Sequence, residues 1–372
     1  VGRPRATSTE ERLQASAPAS VRVRGPEEDA PTRREATRLT VTLWVVTALF
    51  AAVTLIRSVA LDIPLRDPEG KMFRNRLGAA VVLLVLLALA DALVRAWRSR
   101  TPGGRGLGHG VLRALQGRWT TRRTFLVASG VLAYHVVYVC YRNLKSWNAF
   151  NGERDGQLLD LDKALFLGHS PAELLHDLFG QGDAAVFFSV VYRSFTYLIP
   201  LSVVGTLAVL RVRNSYVMLW SGIWVWILGV ASYYLVPSVG PFAAAPAEFA
   251  GLRPTAITDT QLEYVTERNH LLATPASPDA FASIGAFASL HVAFTCVILL
   301  VSAYYRWRVL TAVLAVYLVG VILSTVYFGW HFVADDIAGV VIAVLSVLLA
   351  LLIVNGPRLW RDEPAAEPGS AP

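Results

Sequence analysis

The sequence predicts an all-α integral membrane protein with about eight transmembrane helices, and three observations predict it. First, 54% of its 372 residues are hydrophobic and the mean hydropathy is +0.47, too apolar for an ordinary soluble domain. Second, the apolar residues fall in blocks of about 20, the length a helix needs to cross a bilayer core; the buried helices of a large soluble protein would give shorter, amphipathic blocks. Third, arginines gather beside those blocks, where they act as topology signals.

The charge pattern excludes other classes. A net charge of +7 and a pI near 9.6 suggest nucleic acid at first sight, but only three of the 34 basic residues are lysines, Lys71, Lys145 and Lys163. The arginines border apolar blocks instead of forming a basic face, so no nucleic-acid partner is expected. The two cysteines, Cys140 and Cys296, lie in or beside apolar segments and give neither a disulfide framework nor zinc spacing. The polar start, with no short apolar run before a small-residue cleavage site, argues against a removed signal peptide.

In chain order, residues 1–38 carry Pro, Ser, Glu and eight arginines and are expected to form a disordered cytoplasmic tail. Spans are expected at 40–60, 78–97, 123–141, 187–210, 215–236, 286–305, 308–328 and 332–354, and a Pro- and Ala-rich tail closes the chain over 355–372. The N-terminal tail, the 98–122 loop, Arg211 with Arg213, Arg306 with Arg308, and Arg358 with Arg361 all fall on one side, which the positive-inside rule makes cytoplasmic. The loop at 61–77, with Arg66, Lys71, Arg74 and Arg76, is the exception. The expected arrangement is a multi-pass plasma-membrane protein with both termini cytoplasmic. Its outer side receives two long segments, 142–186 and 237–285. Leu158 to Phe179 mixes leucines and acids in helical spacing and breaks at Gly168 and Pro171, which predicts two short interfacial helices. The 237–285 segment opens with Pro237-Ser238-Val239-Gly240-Pro241 and reads as otherwise irregular, a lid or an entrance.

The residues able to do chemistry collect on that outer side. Span six opens with Phe287-Ala288-Ser289-Leu290-His291, and the last turn runs from Ser324 through His331 to Asp335. Ionisable groups at membrane depth are costly and call for a reason. His331 and Asp335 are four apart, on one helix face, so the carboxylate can fix the imidazole tautomer and leave the other nitrogen free to attack. His291 starts a different span at the same level and can protonate a leaving oxygen. Ser289 and the free N–H groups beside it can hold phosphate oxygens. Each histidine alone could instead be an interfacial anchor beside Tyr327 and Trp330; it is their combination with the serines and the aspartate that argues for a site. On span three, His135, Tyr138, Arg142 and Lys145 share one face, with Arg142 the better phosphate ligand because guanidinium binds two oxygens at once. Arg193, beside Tyr192, is a second candidate. Snorkelling at a helix end is the competing explanation for these cations. His109, His169, His176 and His270 read as solvated, and Asp336 as a supporting acid.

Ser-Leu-His at 289–291 and the pattern S-x6-H-x3-D from Ser324 to Asp335 resemble the second and third motifs of the type 2 phosphatidic acid phosphatase superfamily. The runs at 287–294 and 326–339, with Asp162 to Phe166, Pro171 and 237–241, look most like its inositol-phosphorylceramide-synthase-like branch. The resemblance covers about 123–354 and implies a six-helix catalytic domain there, with 39–122 adding two N-terminal transmembrane helices and a basic cytoplasmic loop. It implies a phosphohistidine mechanism with His331 as nucleophile, Asp335 as orienting partner and His291 as general acid, Ser324 joining the phosphate-binding set, and no metal or other cofactor. The expected substrate is a membrane lipid phosphate, hydrolysed by water or passed to a second lipid or alcohol acceptor. Departures are visible: Ala288 and Leu290 replace the usual Pro and Gly, Thr325 replaces a phosphate-binding arginine, and the first motif is not matched cleanly. A transporter or flippase with a His/Arg path is the alternative, and His291, His331, Asp335 and Asp336 could also be read as metal ligands.

Overall fold

A computed structural model describes residues 32–99 and 106–356, and the described residues form helices joined by loops. The helices are α1 (Arg33–Leu61), α2 (Arg74–Arg98), α3 (Leu107–Arg118), α4 (Thr121–Trp147), α5 (Asp155–Leu165), α6 (Pro171–Phe179), α7 (Asp183–Val209), α8 (Val212–Leu235), α9 (Pro241–Ala244), α10 (Ala256–Ala273), α11 (Leu290–Tyr304), α12 (Arg308–Tyr327) and α13 (Val333–Asn355). Among these, α1, α2, α4, α7, α8, α12 and α13 are long and apolar enough to cross a membrane, while α11 is apolar but shorter. The protein is an all-α polytopic membrane protein.

The expected tails lie largely outside the described residues, but Arg33–Arg38 is helical, not tail. A capping box between Thr32 and Glu35 starts α1 there, satisfying N–H groups that would otherwise be orphaned. At the other end α13 still includes Asn355.

The expected sixth span is also shortened, and the reason is local. The amides of Ala286 and Phe287 donate to the carbonyl and hydroxyl of Ser238. That of Ala288 donates to the Ser232 hydroxyl, and that of Ser289 to the Asp335 carbonyl. With its amides committed to neighbouring helices and loops, this stretch stays extended, and α11 starts only where Ser289 caps it. The 237–285 segment departs the other way. It contains α10, an 18-residue helix started by a Thr255–Thr258 capping box, whose mixed polar sequence hides its helical period.

The central helix is α8, which packs against α13, α4, α7 and α11. Where α13 crosses α11, Gly339 allows close approach: a Cβ there would stand 2.5 Å from the Ser289 carbonyl oxygen. The basic loop before α2 is explained by packing. Arg66 is buried and donates to the carbonyls of Ala280 and, at 2.7 Å, Pro275, so this loop is fastened to the segment before α11. At the far end of the bundle, Arg123 is buried and donates to the carbonyls of Leu207, Ala208 and Leu210, satisfying the end of α7.

Candidate active site

The site is assembled at the junction of α12 and α13. After α12 ends at Tyr327, the chain turns through Gly329, whose φ of +66° suits glycine and where a Cβ would fall 2.3 Å from the Phe249 ring. This turn presents His331, whose Nδ1 lies 3.4 Å from Asp335 Oδ2. The same oxygen accepts the Phe332 amide at 3.0 Å, while Oδ1 has no hydrogen-bond partner among the described residues. Both side chains are buried. His331 precedes α13, which starts at Val333, so the carboxylate meets the imidazole across the start of the helix and not on the single helix face that the spacing predicts.

His291, on the first turn of α11, lies with its ring centre 5.8 Å from that of His331. Its ring is flanked by Tyr192 and Phe195 of α7, each at 4.4 Å between centres. Aromatic contacts orient it, and no protein hydrogen bond occupies its nitrogens among the described residues. A donor or acceptor left free in this way is available to a substrate.

The two histidines line a cavity of about 720 Å³, together with Arg142, Lys145, Arg193 and Arg76. His135 and Tyr138 line it too, so the whole expected stripe of α4 faces the cavity. Arg142 donates to the Ser283 hydroxyl at 2.9 Å, and its Nε is buried without a partner. The Lys145 ammonium stands 5.4 Å from the centre of the Tyr233 ring and makes no ion pair among the described residues. Among the described residues no carboxylate lines this cavity. Its other end is apolar, with Leu83, Val131, Val203 and Phe294 from α2, α4, α7 and α11.

Other candidates lie elsewhere. Ser289 and Ser324 are completely buried and are not among the cavity-lining residues. The Ser324 hydroxyl donates to the Val321 carbonyl at 2.8 Å, and Ser289 caps α11 beside Asp336. Thr325, in the place of the expected arginine, donates to Asp336 at 3.0 Å. Asp336 is therefore engaged behind the site, as its position on the helix suggests. His109, His169 and His270 are exposed. His176 is not solvated: it is buried, with Nε2 2.8 Å from the Tyr327 carbonyl oxygen, because α6 folds back onto the end of α12. Among the described residues no three His, Cys, Asp or Glu side chains converge as a metal site.

Sequence reasoning missed the residues that hold the histidine turn. Asp162 of α5 accepts the Val333 amide at 2.9 Å and that of Ala334 at 3.4 Å, so it caps α13 from another helix. Gln261 of α10 donates to the Phe328 carbonyl at 2.7 Å, and the Phe242 amide donates to that of Gly329. Asp155 accepts the amides of Val239 and Gly240. Burial pushes the carboxyls of Asp155 and Asp162 above their ordinary range, and the backbone N–H groups pull the other way. The one available signal was an acid repeating among leucines in a segment with no other use for it.

Comparison with known families decides the relationship. The model described as PAP2 superfamily matches residues 156–349, just over half of the chain. The chain belongs to the PAP2 superfamily. Neither a curated protein nor a solved structure matches it. The PAP2 match includes Arg193, His291, His331 and Asp335, while α4, with Arg142 and Lys145, and α2, with Arg76, precede it. Membership points to phosphatase or phosphotransferase chemistry on a phosphate substrate.

Proposed function

We propose that this protein cleaves a phosphoester of a membrane lipid through a phosphohistidine intermediate, either hydrolysing a lipid phosphate or passing a phospho-headgroup to a lipid or alcohol acceptor. The observation that carries the reading is the cavity: two histidines and a group of cations at one end, apolar side chains at the other. A phosphate would sit among Arg142, Lys145 and Arg193, with its lipid chain toward Leu83, Val131 and Val203. Asp335 takes the Nδ1 proton of His331 in a hydrogen bond, leaving Nε2 with a lone pair to attack phosphorus. The N–P bond forms as the P–O bond to the leaving group breaks, and His291 gives that oxygen a proton. Water or an alcohol then attacks phosphorus, His291 takes its proton, and the N–P bond breaks. Water yields free phosphate; a lipid hydroxyl yields a new phospholipid.

Further parts of the reading rest on the same residues. The runs at 287–294 and 326–339 favour the inositol-phosphorylceramide-synthase-like branch, a pattern that leaves both hydrolysis and transfer open. The catalytic domain is proposed to span 123–354, because the α4 cations at its start share the cavity with the histidines. The arginine pattern puts the site on the extracytoplasmic side of the plasma membrane with both termini inside. The test is purified full-length protein with lipids labelled in the phosphate, scoring free phosphate against transferred headgroup with and without an acceptor lipid. His331-dependent appearance of either product supports the reading; turnover of neither, with transbilayer movement of the intact lipid in vesicles, would favour the transporter alternative.

A further inference from the structure

Helix α2 precedes the segment matched to the family, yet it forms a wall of the cavity through Arg76, Ala79, Ala80 and Leu83, which recur at helical spacing. The Arg76 guanidinium carbon stands 4.3 Å over the Tyr138 ring, and the Arg76 backbone meets His135. Tyr138 comes four residues before Arg142 and seven before Lys145, which neighbours both catalytic imidazoles. At about 1.5 Å per residue, Arg76 is thus roughly 6 Å deeper along α4 than Arg142 and roughly 10 Å deeper than Lys145. It stands between the histidines and the apolar end of the cavity.

Among the described residues no anionic group accounts for a cation there. Arg76 makes no ion pair or side-chain hydrogen bond among the described residues; its contact is the face of Tyr138. It lies in the first turn of α2, where the helix dipole disfavours positive charge and no acidic residue offsets it. Its neighbour Arg74 is already committed, donating to the Glu69 carbonyl. Arg142, Lys145 and Arg193 already supply three positive charges for one phosphate; Glu267, beside Ser283, offsets Arg142 and Lys145, and among the described residues no carboxylate lines the cavity to absorb Arg76.

Building on the proposed reading, we infer that Arg76 binds a second anionic group of the substrate, placed between the phosphate attacked by His331 and the lipid chain. The protein therefore selects lipids with two anionic groups, a diphosphate or a phosphate plus a carboxylate, over lipids with a single phosphate. The selectivity comes from the N-terminal pair of helices and not from the family-matched segment.

Binding of three probes with the same acyl chains to the purified full-length protein, followed by native mass spectrometry, tests this without relying on turnover. The probes are phosphatidic acid, diacylglycerol diphosphate and an N-acyl-O-phosphoserine, which carries a carboxylate between its acyl chain and its phosphate. The wild type is expected to bind at least one two-anion probe about tenfold or more tighter than phosphatidic acid, as befits a charge-assisted hydrogen bond. Which probe gains identifies the second group. Arg76→Gln and Arg76→Met, the latter keeping the packing of the stem, should each shrink that gap to below about threefold, and Arg76→Lys should keep most of it. Equal wild-type affinity for all three probes, or a gap that survives both neutral variants, overturns the assignment. Absence of His331-dependent turnover alongside an Arg76-dependent gap would instead overturn the phosphoryl-transfer reading and leave this one standing.

Discussion

Replacing Gly339 by alanine probes how tightly the helices that carry Asp335 and His291 are coupled. Gly339 lies one turn beyond Asp335 on α13, against the start of α11 that bears His291. An added methyl would stand 2.5 Å from the Ser289 carbonyl oxygen and 3.4 Å from the Ala293 nitrogen. Reaching the 3.4 Å of ordinary contact requires the helices to part by about 0.9 Å, and the obstructing atoms are backbone, which cannot swing aside. Overpacking of this kind costs about 1–3 kcal/mol. The same movement stretches the 3.0 Å bond from the Ser289 amide to the Asp335 carbonyl and draws His291 away from His331. Displacement near 1 Å in a catalytic constellation costs about a hundredfold in rate, so turnover should fall by about tenfold to a hundredfold. Phosphate release from a labelled lipid phosphate and thermal unfolding in detergent are measured on the same preparation. Gly205→Ala in α7, whose methyl would meet only Leu87 at 3.9 Å, is the control and should change neither. Wild-type turnover in Gly339→Ala would refute the coupling between helix approach and catalysis, whatever the change in stability.

Other substitutions separate the roles of the site residues. His331→Ala should leave a folded, inserted protein with less than about 1% of wild-type turnover; substantial residual activity on size-exclusion-purified protein would remove it as nucleophile. His291→Ala should slow cleavage of alkyl phosphates far more than of activated aryl phosphates, because a good leaving group needs no proton, and equal loss on both would assign it to phosphate binding. Asp162→Ala strips two amide partners from the start of α13 and should cost about 1–2 kcal/mol in stability together with a lower kcat; an unchanged unfolding temperature would show that water replaces it without loss. For orientation, a cysteine at exposed Ala276, in a background without Cys140 and Cys296, should react with an impermeant thiol reagent in intact cells, and one at exposed Gln116 only after lysis. The reverse pattern would place the site in the cytoplasm.

Hydropathy made the membrane-spanning helices legible because a helix crossing lipid must satisfy its backbone internally and present apolar side chains over a fixed length. A pattern tied to one helix was equally legible: the stripe from His135 to Lys145 depends only on 3.6-residue periodicity, whereas His331 precedes α13 and meets Asp335 across its first turn. The extended start of α11 was not, since its amides are taken by Ser232, Ser238 and Asp335, partners up to 56 residues distant in sequence in the case of Ser232. Nor was the burial of His176 or the withdrawal of Ser289 and Ser324 from the cavity, because helical spacing gives a face but not the neighbour that covers it.

The sequence by itself thus determined an all-helical membrane protein and pointed to the residue types of the proposed phosphate site, since both readings follow from local composition and period. Only the tertiary structure decided which cations share a cavity with the histidines. Arg76, ahead of the family-matched segment and in sequence only one of the basic residues of an exceptional loop, enters the cavity because α2 packs across α4 and α7. Likewise Asp162 reaches the start of α13, 171 positions away, because α5 folds beneath the histidine turn. Such contacts depend on how helices meet in space, which no single segment of the chain encodes.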